Sequence, residues 1–374
     1  VVIASFLAVA VLVYTYFGYP IVIGILARLW PAQRKEDPSY VPTVTACIPV
    51  YNAASYLPAK VESLFALDYP RDKLEVLLYS DGSTDDTVRV AQQLSERDPR
   101  VKVIVSEARR GKPIGVNTML GVATGEVLLM TDVRQPLVPG ALRALVRLLA
   151  DPGAGCVSGN LVLKGSAGSG AYWRYENWIR LQEGRFRSMV GVTGPIYAIR
   201  RADMSQLPEG VILDDMWVPM RLRLEGRSIL FAEDAIAYDD AFGDEREFGR
   251  KVRTLAGNYQ LFSLLPALLV PFRNPSWFEI FSHKLLRLVC PWALVALVLT
   301  STAAWVGAES SGDASWTLYA ARALFGGQAA FYLLALLGGA AGKLGALART
   351  FVVLNAAAVV GLWRYVRGSQ KVTW

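Results

Sequence analysis

Hydrophobic positions follow two regimes along this chain. From Thr43 to residue 150 they come in short runs, each ended by polar residues, and the runs alternate with stretches of helical periodicity. Such alternation marks a parallel sheet with crossover helices. It predicts strands at 43–50, 74–80, 101–105 and 126–131, and helices near 55–66, 85–96, 112–123 and 139–150. Thr84, Asp85 and Asp86 stand where polar caps belong, ahead of the second helix. Elsewhere the apolar runs are much longer. Val1–Leu29 is nearly uncharged, and so are Leu288–Val306, Trp316–Ala341 and Phe351–Val366. A spanning helix needs about 20 apolar residues, so the first three qualify and the fourth is marginal.

These regimes divide the chain into an N-terminal transmembrane helix (1–30), a polar linker (31–42), an α/β domain (43–258), interfacial helices (259–284) and C-terminal transmembrane helices (285–374). The net charge of +7 fits either nucleic acid or anionic lipid headgroups. Arg28, Arg34, Lys35, Lys284 and Arg287 lie beside apolar runs, which favours membrane lipid and no nucleic acid. The first segment is too long for a secretory signal, and its positive charge follows it. That charge places the α/β domain in the cytoplasm. If all four segments span, the basic stretch Arg364–Lys371 falls on the opposite side, against the same rule, which leaves two readings of the last segment: it spans, or it lies at the interface or re-enters. Cys47, Cys156 and Cys290 are far apart in apolar runs and read as reduced core residues. His283 is the single histidine, which nearly excludes His-based metal sites and triads.

In a parallel sheet, ligands bind at the carboxyl ends of the strands. Asn52, Asp81 and Asp132 all fall there. The segments that deliver them are Pro49-Val-Tyr51-Asn52, Ser80-Asp81-Gly82 and Met130-Thr-Asp132-Val-Arg134. With Gly111-Lys112 and Asn117, Asp214-Asp215, and Arg250-Lys251-Val-Arg253-Thr254, they resemble family-2 glycosyltransferases from Thr43 to Gln260, related to cellulose- and hyaluronan-synthase-like and exopolysaccharide enzymes. The resemblance implies an α/β GT-A-type (Rossmann-like) nucleotide-sugar domain joined to α-helical transmembrane segments. It places Pro49, Tyr51, Asn52 and Asp81 in the nucleoside pocket and Lys112, Asp132 and Arg134 around the nucleotide sugar. Asp132 is then the first acid of a D-x-D motif that holds Mg2+ or Mn2+ on the diphosphate. Arg134 stands where the second acid belongs; it cannot ligate a cation but can neutralise phosphate. Asp215 matches the general base, with Asp214 before it, and two adjacent acids raise one pKa. Arg250 and Arg253 match the Q-x-x-R-W segment that stabilises the leaving diphosphate, with Arg250 in place of Gln and Thr254 in place of Trp.

The implied function is inverting transfer of a sugar from a UDP-sugar to a lipid-linked or membrane-associated glycan in cell-surface polysaccharide biosynthesis, at the bacterial plasma membrane. Two alternatives stand beside it. A processive synthase would extrude its own polymer through a lumen lined by residues such as Trp292, Trp305, Tyr319 and Gln328, and the missing Trp counts against it. A non-catalytic sugar-nucleotide sensor or scaffold is kept open by the altered D-x-D motif, and the intact Asp214-Asp215 pair opposes it.

Overall fold

The computed structural model describes residues 1–164, 169–240, 244–310 and 316–372. The chain divides into two compact units, one of Leu26–Ala241, Gln260–Trp277 and Lys371–Trp374, the other of Val1–Ile25, Phe242–Tyr259 and Phe278–Gln370. The N-terminal apolar run forms α1 (Val2–Val13), a π-helical turn (Tyr14–Gly18) and α2 (Tyr19–Leu29).

The first unit is built on β1 (Val44–Val50), α3 (Leu57–Phe65), β2 (Leu74–Asp81), α4 (Thr87–Arg97), β3 (Val101–Ser106), α5 (Lys112–Val122), β4 (Val127–Thr131) and α6 (Ala141–Leu149). All eight lie within two residues of the expected bounds. After them come β5 (Ala154–Lys164), α7 (Ser169–Phe186), β6 (Ile196–Arg200), α8 (Asp214–Leu224) and β7 (Ser228–Asp240). The seven strands form one mixed sheet in the order β3-β2-β1-β4-β6-β5-β7. The first four run parallel, β6 is antiparallel to β4 and β5, and β5 pairs in parallel with β7. Every residue of β1 and β4 is buried, as in a parallel strand covered on both faces. Pro49 lies beyond Cys47↔Met130, the last register pair with β4, where the ladder to that neighbour has ended. One cap differs from expectation. Asp86 is the N-cap of α4 but makes no side-chain capping bond; Asp85 accepts the Thr87 N–H at 3.0 Å.

The second unit contains α1, α9 (Asp244–Leu264) as far as Tyr259, a further π-helical turn (Ile280–Leu285), α11 (Leu286–Ser310), α12 (Trp316–Leu337) and α13 (Gly342–Val366). Between α9 and that turn, the helices expected over 259–284 reduce to a 3-10 turn at Pro266–Leu269 and the three-residue α10 (Trp277–Glu279). Pro266, Pro271 and Pro275 explain this, since each removes a backbone donor and clashes with a continuing helix. Among the described residues three stretches are long and apolar enough to cross a membrane: Val2–Leu29, Trp277–Ser310 and Trp316–Val366. The third is broken by a 3-10 turn at Gly338–Ala341 into arms of 22 and 25 residues that pack on each other. The fourth apolar segment is thus extended by Gly342–Thr350 into a full-length helix. Tyr14 and Ser282 share a 2.9 Å hydrogen bond that joins the two π-helical turns. The residues expected to line a lumen have the following surroundings. Trp292 and Tyr319 are exposed, Trp305 packs edge-on against Phe325, and Gln328 donates to Ser301 at 3.0 Å.

Glu75 pins the parallel half of the sheet. Thr45 of β1 and the N–H and hydroxyl of Thr124 donate to one carboxylate oxygen, and Lys102 of β3 reaches the other at 2.6 Å. Burial pushes this carboxyl up, but the four donors outweigh it and bring the pKa from the ordinary 4.5 down to about 2. A carboxyl held below its unfolded value adds stability that is complete above 4.5 and is lost as pH falls toward 2. Glu75→Gln is therefore expected to melt below wild type at neutral pH, with the gap closing between pH 4.5 and 2. Thermal unfolding of detergent-solubilised protein at stepped pH checks this; a gap that stays constant across the window refutes it.

Candidate active site

The loops that follow β1, β2 and β3 are tied to one another by the residues expected to meet a nucleoside. Asn52 adopts a left-handed backbone (φ 46°), and its side-chain oxygen accepts the Thr84 N–H at 2.8 Å. Asp81 is fully buried and accepts the N–H groups of Arg110 and Gly111 at 2.7 and 2.9 Å. Gly82 has φ +65°, and a Cβ there would sit 2.5 Å from the Arg109 nitrogen, so only glycine lets the loops approach this closely. The Arg109 guanidinium stacks on the Tyr51 ring at 3.7 Å. Pro49 is buried one step below, while Tyr51 is half-buried and Asn52 exposed. Asn52 and Asp81 thus shape the edge through loop contacts, and Tyr51 with Arg109 offers it a flat face.

Lys112 opens α5 at the same edge. Its ammonium lies 3.4 Å from Asp132 Oδ1 at the end of β4 and 3.2 Å from Asp214 Oδ2 at the start of α8. Burial alone would lower the lysine pKa, but Asp132, Asp214 and Asp215 together hold it above its usual value. Burial likewise pushes the Asp132 carboxyl up, and Lys112, then Lys60 and Arg134, hold it below the usual range. Asp214 and Asp215 form the first turn of α8, where the helix dipole favours negative charge. Expected repulsion between the two acids therefore meets a neighbouring cation and a helix N-terminus. Asp214 is buried, and Asp215 is partly open. A Cβ on Gly194 would come within 3.0 Å of Asp215 Oδ2, so the loop before β6 passes directly against that carboxylate.

Arg134 does not simply turn away to solvent. Its guanidinium lies 3.3 Å from Asp239 Oδ2 on β7, and Gln135 Nε2 donates to the same oxygen at 2.8 Å. Backbone bonds from Tyr238 N–H to Pro136 O and from Val138 N–H to Ile236 O, both 3.0 Å, hold the loop along β7 and bring the two charges together. Among the described residues, no group of three or more His, Cys, Asp or Glu is placed to hold a metal ion. Asp132 is a lone carboxylate flanked by Lys112 and Arg134, a donor set that does not form a protein cage for a hard cation. Arg250 and Arg253 lie on α9 in the helical unit, where Glu247 is 4.0 Å from Arg250 and 2.9 Å from Lys251.

Sequence reasoning passed over several residues at this edge. Lys60 of α3 is buried, and its ammonium donates to Thr131 Oγ1 at 2.7 Å and Gln135 O at 2.6 Å. Burial lowers its pKa to about 7 against the pull of Asp132. The signal was present, because Lys60 falls on the apolar stripe of Leu57, Val61 and Leu64. Tyr197 of β6 is fully buried beneath the acidic pair, and Asp239 supplies the acid that Arg134 meets. Neither had a local sequence signal.

Residues 45–205 match the sequence model of the family described as Glycosyl transferase family 2. Glycosyltransferase AglE of Haloferax volcanii is 26% identical over 235 residues, which is 60% of this chain and 76% of that protein. Hyaluronan synthase of Pasteurella multocida is 36% identical over 134 residues, 36% of this chain and only 13% of that one. Among solved structures, the mannosyltransferase PcManGT from Pyrobaculum calidifontis, in complex with GDP-Man and Mn2+, is similar at TM-score 0.76 and 26% identity, covering 97% of this chain and 99% of that chain. Motif order, the seven-stranded GT-A sheet and these relatives agree: residues 45–205 carry a glycosyltransferase family 2 domain.

Proposed function

We propose that this chain transfers a sugar, with inversion, from a nucleotide sugar to a hydroxyl of a lipid-linked or membrane-associated glycan. It works at the cytoplasmic face of a bacterial plasma membrane, in assembly of cell-surface polysaccharide. The observation that supports this most is the position of Lys112, whose one ammonium contacts both the donor-side acid Asp132 and Asp214, the residue before the base on α8. Donor edge and base then belong to one site. Asp215 takes the proton of the acceptor hydroxyl. The freed oxygen attacks the anomeric carbon from the face opposite the nucleotide, the bond to the diphosphate breaks, and the nucleoside diphosphate leaves with the electron pair. Lys112 and Arg134 neutralise the donor phosphates, and the family resemblance gives Arg250 and Arg253 the charge that grows on the leaving group. Asp132 would give Mg2+ or Mn2+ one protein oxygen, the ion contributing charge neutralisation at the diphosphate. The family resemblance points to a UDP-sugar. A GDP-linked sugar is the second reading, favoured by the GDP-Man in the similar mannosyltransferase. Incubating purified protein and native membrane lipid with radiolabelled UDP- and GDP-linked sugars decides between them, and transfer from neither sinks the proposal.

Asp215→Asn is expected to cut turnover by roughly two to four orders of magnitude, the usual worth of a positioned base. Nucleotide affinity should stay near wild type, because the carboxylate acts on the acceptor. Calorimetric titration beside a turnover assay reads both, and a variant that keeps a third of its turnover removes Asp215 from the role.

Arg134→Asp would bring a third carboxylate to Asp132 and Asp239. Without metal, this variant should melt below wild type because like charges crowd the loop. Added Mn2+ should raise its melting point more than that of wild type, while turnover falls for want of the phosphate cation. Thermal shift against Mn2+ is the readout, and equal shifts in both proteins would mean that position 134 does not face the diphosphate.

A further inference from the structure

Lys60 has no role in the chemistry described so far, yet a lysine is a costly residue for the buried face of α3. Its neighbours on that face are Leu57, Val61 and Leu64, and a leucine or methionine would fill the same stripe without a charge to desolvate. What the ammonium does instead is specific. It grips the loop after β4 at two points, Thr131 Oγ1 at 2.7 Å and Gln135 O at 2.6 Å, on either side of Asp132. Thr131 passes the contact on by donating to Pro195 O at 2.8 Å. Pro195 follows Gly194, whose Cα faces Asp215 so closely that a Cβ would lie 3.0 Å from the carboxylate. Val192 N–H of the same loop accepts no slack either, since it donates to Asp215 O at 3.1 Å. On the far side, Gln135 Nε2 reaches Asp239, the partner of Arg134.

We propose that Lys60 is a positioning residue that locks the Asp132 loop to the Gly194–Pro195 loop and so sets the donor edge against Asp215. The path runs from Lys60 Nζ through the Thr131 hydroxyl to Pro195 O, and from there through the 192–195 loop to the base. Lys60 touches neither donor nor acceptor; it holds two loops whose separation must suit the transfer. A displacement of about 1 Å between reacting groups costs on the order of a hundredfold in rate.

This inference rests on Asp215 being the base. The test uses full-length protein in detergent with the donor that supports turnover. Lys60→Met keeps the length and apolar bulk of the side chain and removes the ammonium. Thr131→Val keeps the shape of the threonine and removes the relay to Pro195. Each is expected to lower kcat by roughly ten- to a hundredfold, with donor KM and nucleotide affinity within about twofold of wild type. The double variant should lose no more than the worse single one, because both break the same link. If the fold losses multiply, the two residues act independently and the proposal fails. It fails equally if either folded variant keeps wild-type kcat, or if kcat loss is matched by loss of nucleotide binding. Should Lys60→Met not fold, Thr131→Val decides alone, since it leaves the lysine in place. Asp215→Asn run in parallel separates the two readings: near-normal turnover there removes the base, whereas the Lys60–Thr131 coupling is read from kcat in the other variants.

Discussion

Lys112 Nζ lies 3.4 Å from Asp132 and 3.2 Å from Asp214, and the charge balance of the whole sheet edge depends on it. Its side chain is 14% exposed and that of Asp214 is 7% exposed, so neither charge has water to fall back on. Removing one partner from such a pair typically costs about 3–5 kcal/mol, because the other is left buried and uncompensated. The same contact joins the end of β4 to the start of α8, two elements far apart in sequence. It lets two acids share a helix start and keeps Asp132 ionised despite burial. A diphosphate brought to this edge would meet one lysine already engaged with two carboxylates, so part of its binding would come from redistributing charge already present.

The altered D-x-D motif follows the same logic. An arginine two residues after Asp132 removes one oxygen ligand and adds a cation. The fold answers with Asp239, brought beside it by the pairing of Pro136–Val138 with β7. Net charge at the loop is restored by an acid from another strand, but the geometry is that of an ion pair. Lys60 beneath the loop and Arg134 above it leave Asp132 between cations. These cations and Lys112 surround Asp132 with basic groups of the chain's own.

In the helical unit, close packing depends on small residues. A Cβ on Gly361 of α13 would lie 2.9 Å from the Ala256 nitrogen of α9, so the two backbones touch there. Backbone contact of this kind is how helices associate where no hydrophobic force separates them from lipid. Arg322 finds its counter-charge in Glu309, which explains how an arginine is tolerated at the start of an apolar arm.

The parallel half of the sheet and the apolar spans were legible because each is written in local pattern. β1, β2 and β4 are apolar runs cut off by polar residues, α5 begins at Gly111-Lys112, and Val2–Leu29 is long and nearly uncharged whatever surrounds it. The acids Asp81, Asp132 and Asp215 were legible for the same reason, since each interrupts or ends a patterned element. Tertiary structure alone decided what those acids meet. Asp81 turns to the backbone of 110–111, Arg134 finds Asp239 across 105 residues, and Lys60 reaches Thr131 across 71. It also decided the β5–β6–β7 half, where one strand reverses and register shifts in the β5–β7 pair blur any period. Periodicity records which face of an element is buried. It holds no trace of which distant polar group will share that burial, and hydrogen-bond and charge pairing are settled only when the strands and loops are brought side by side.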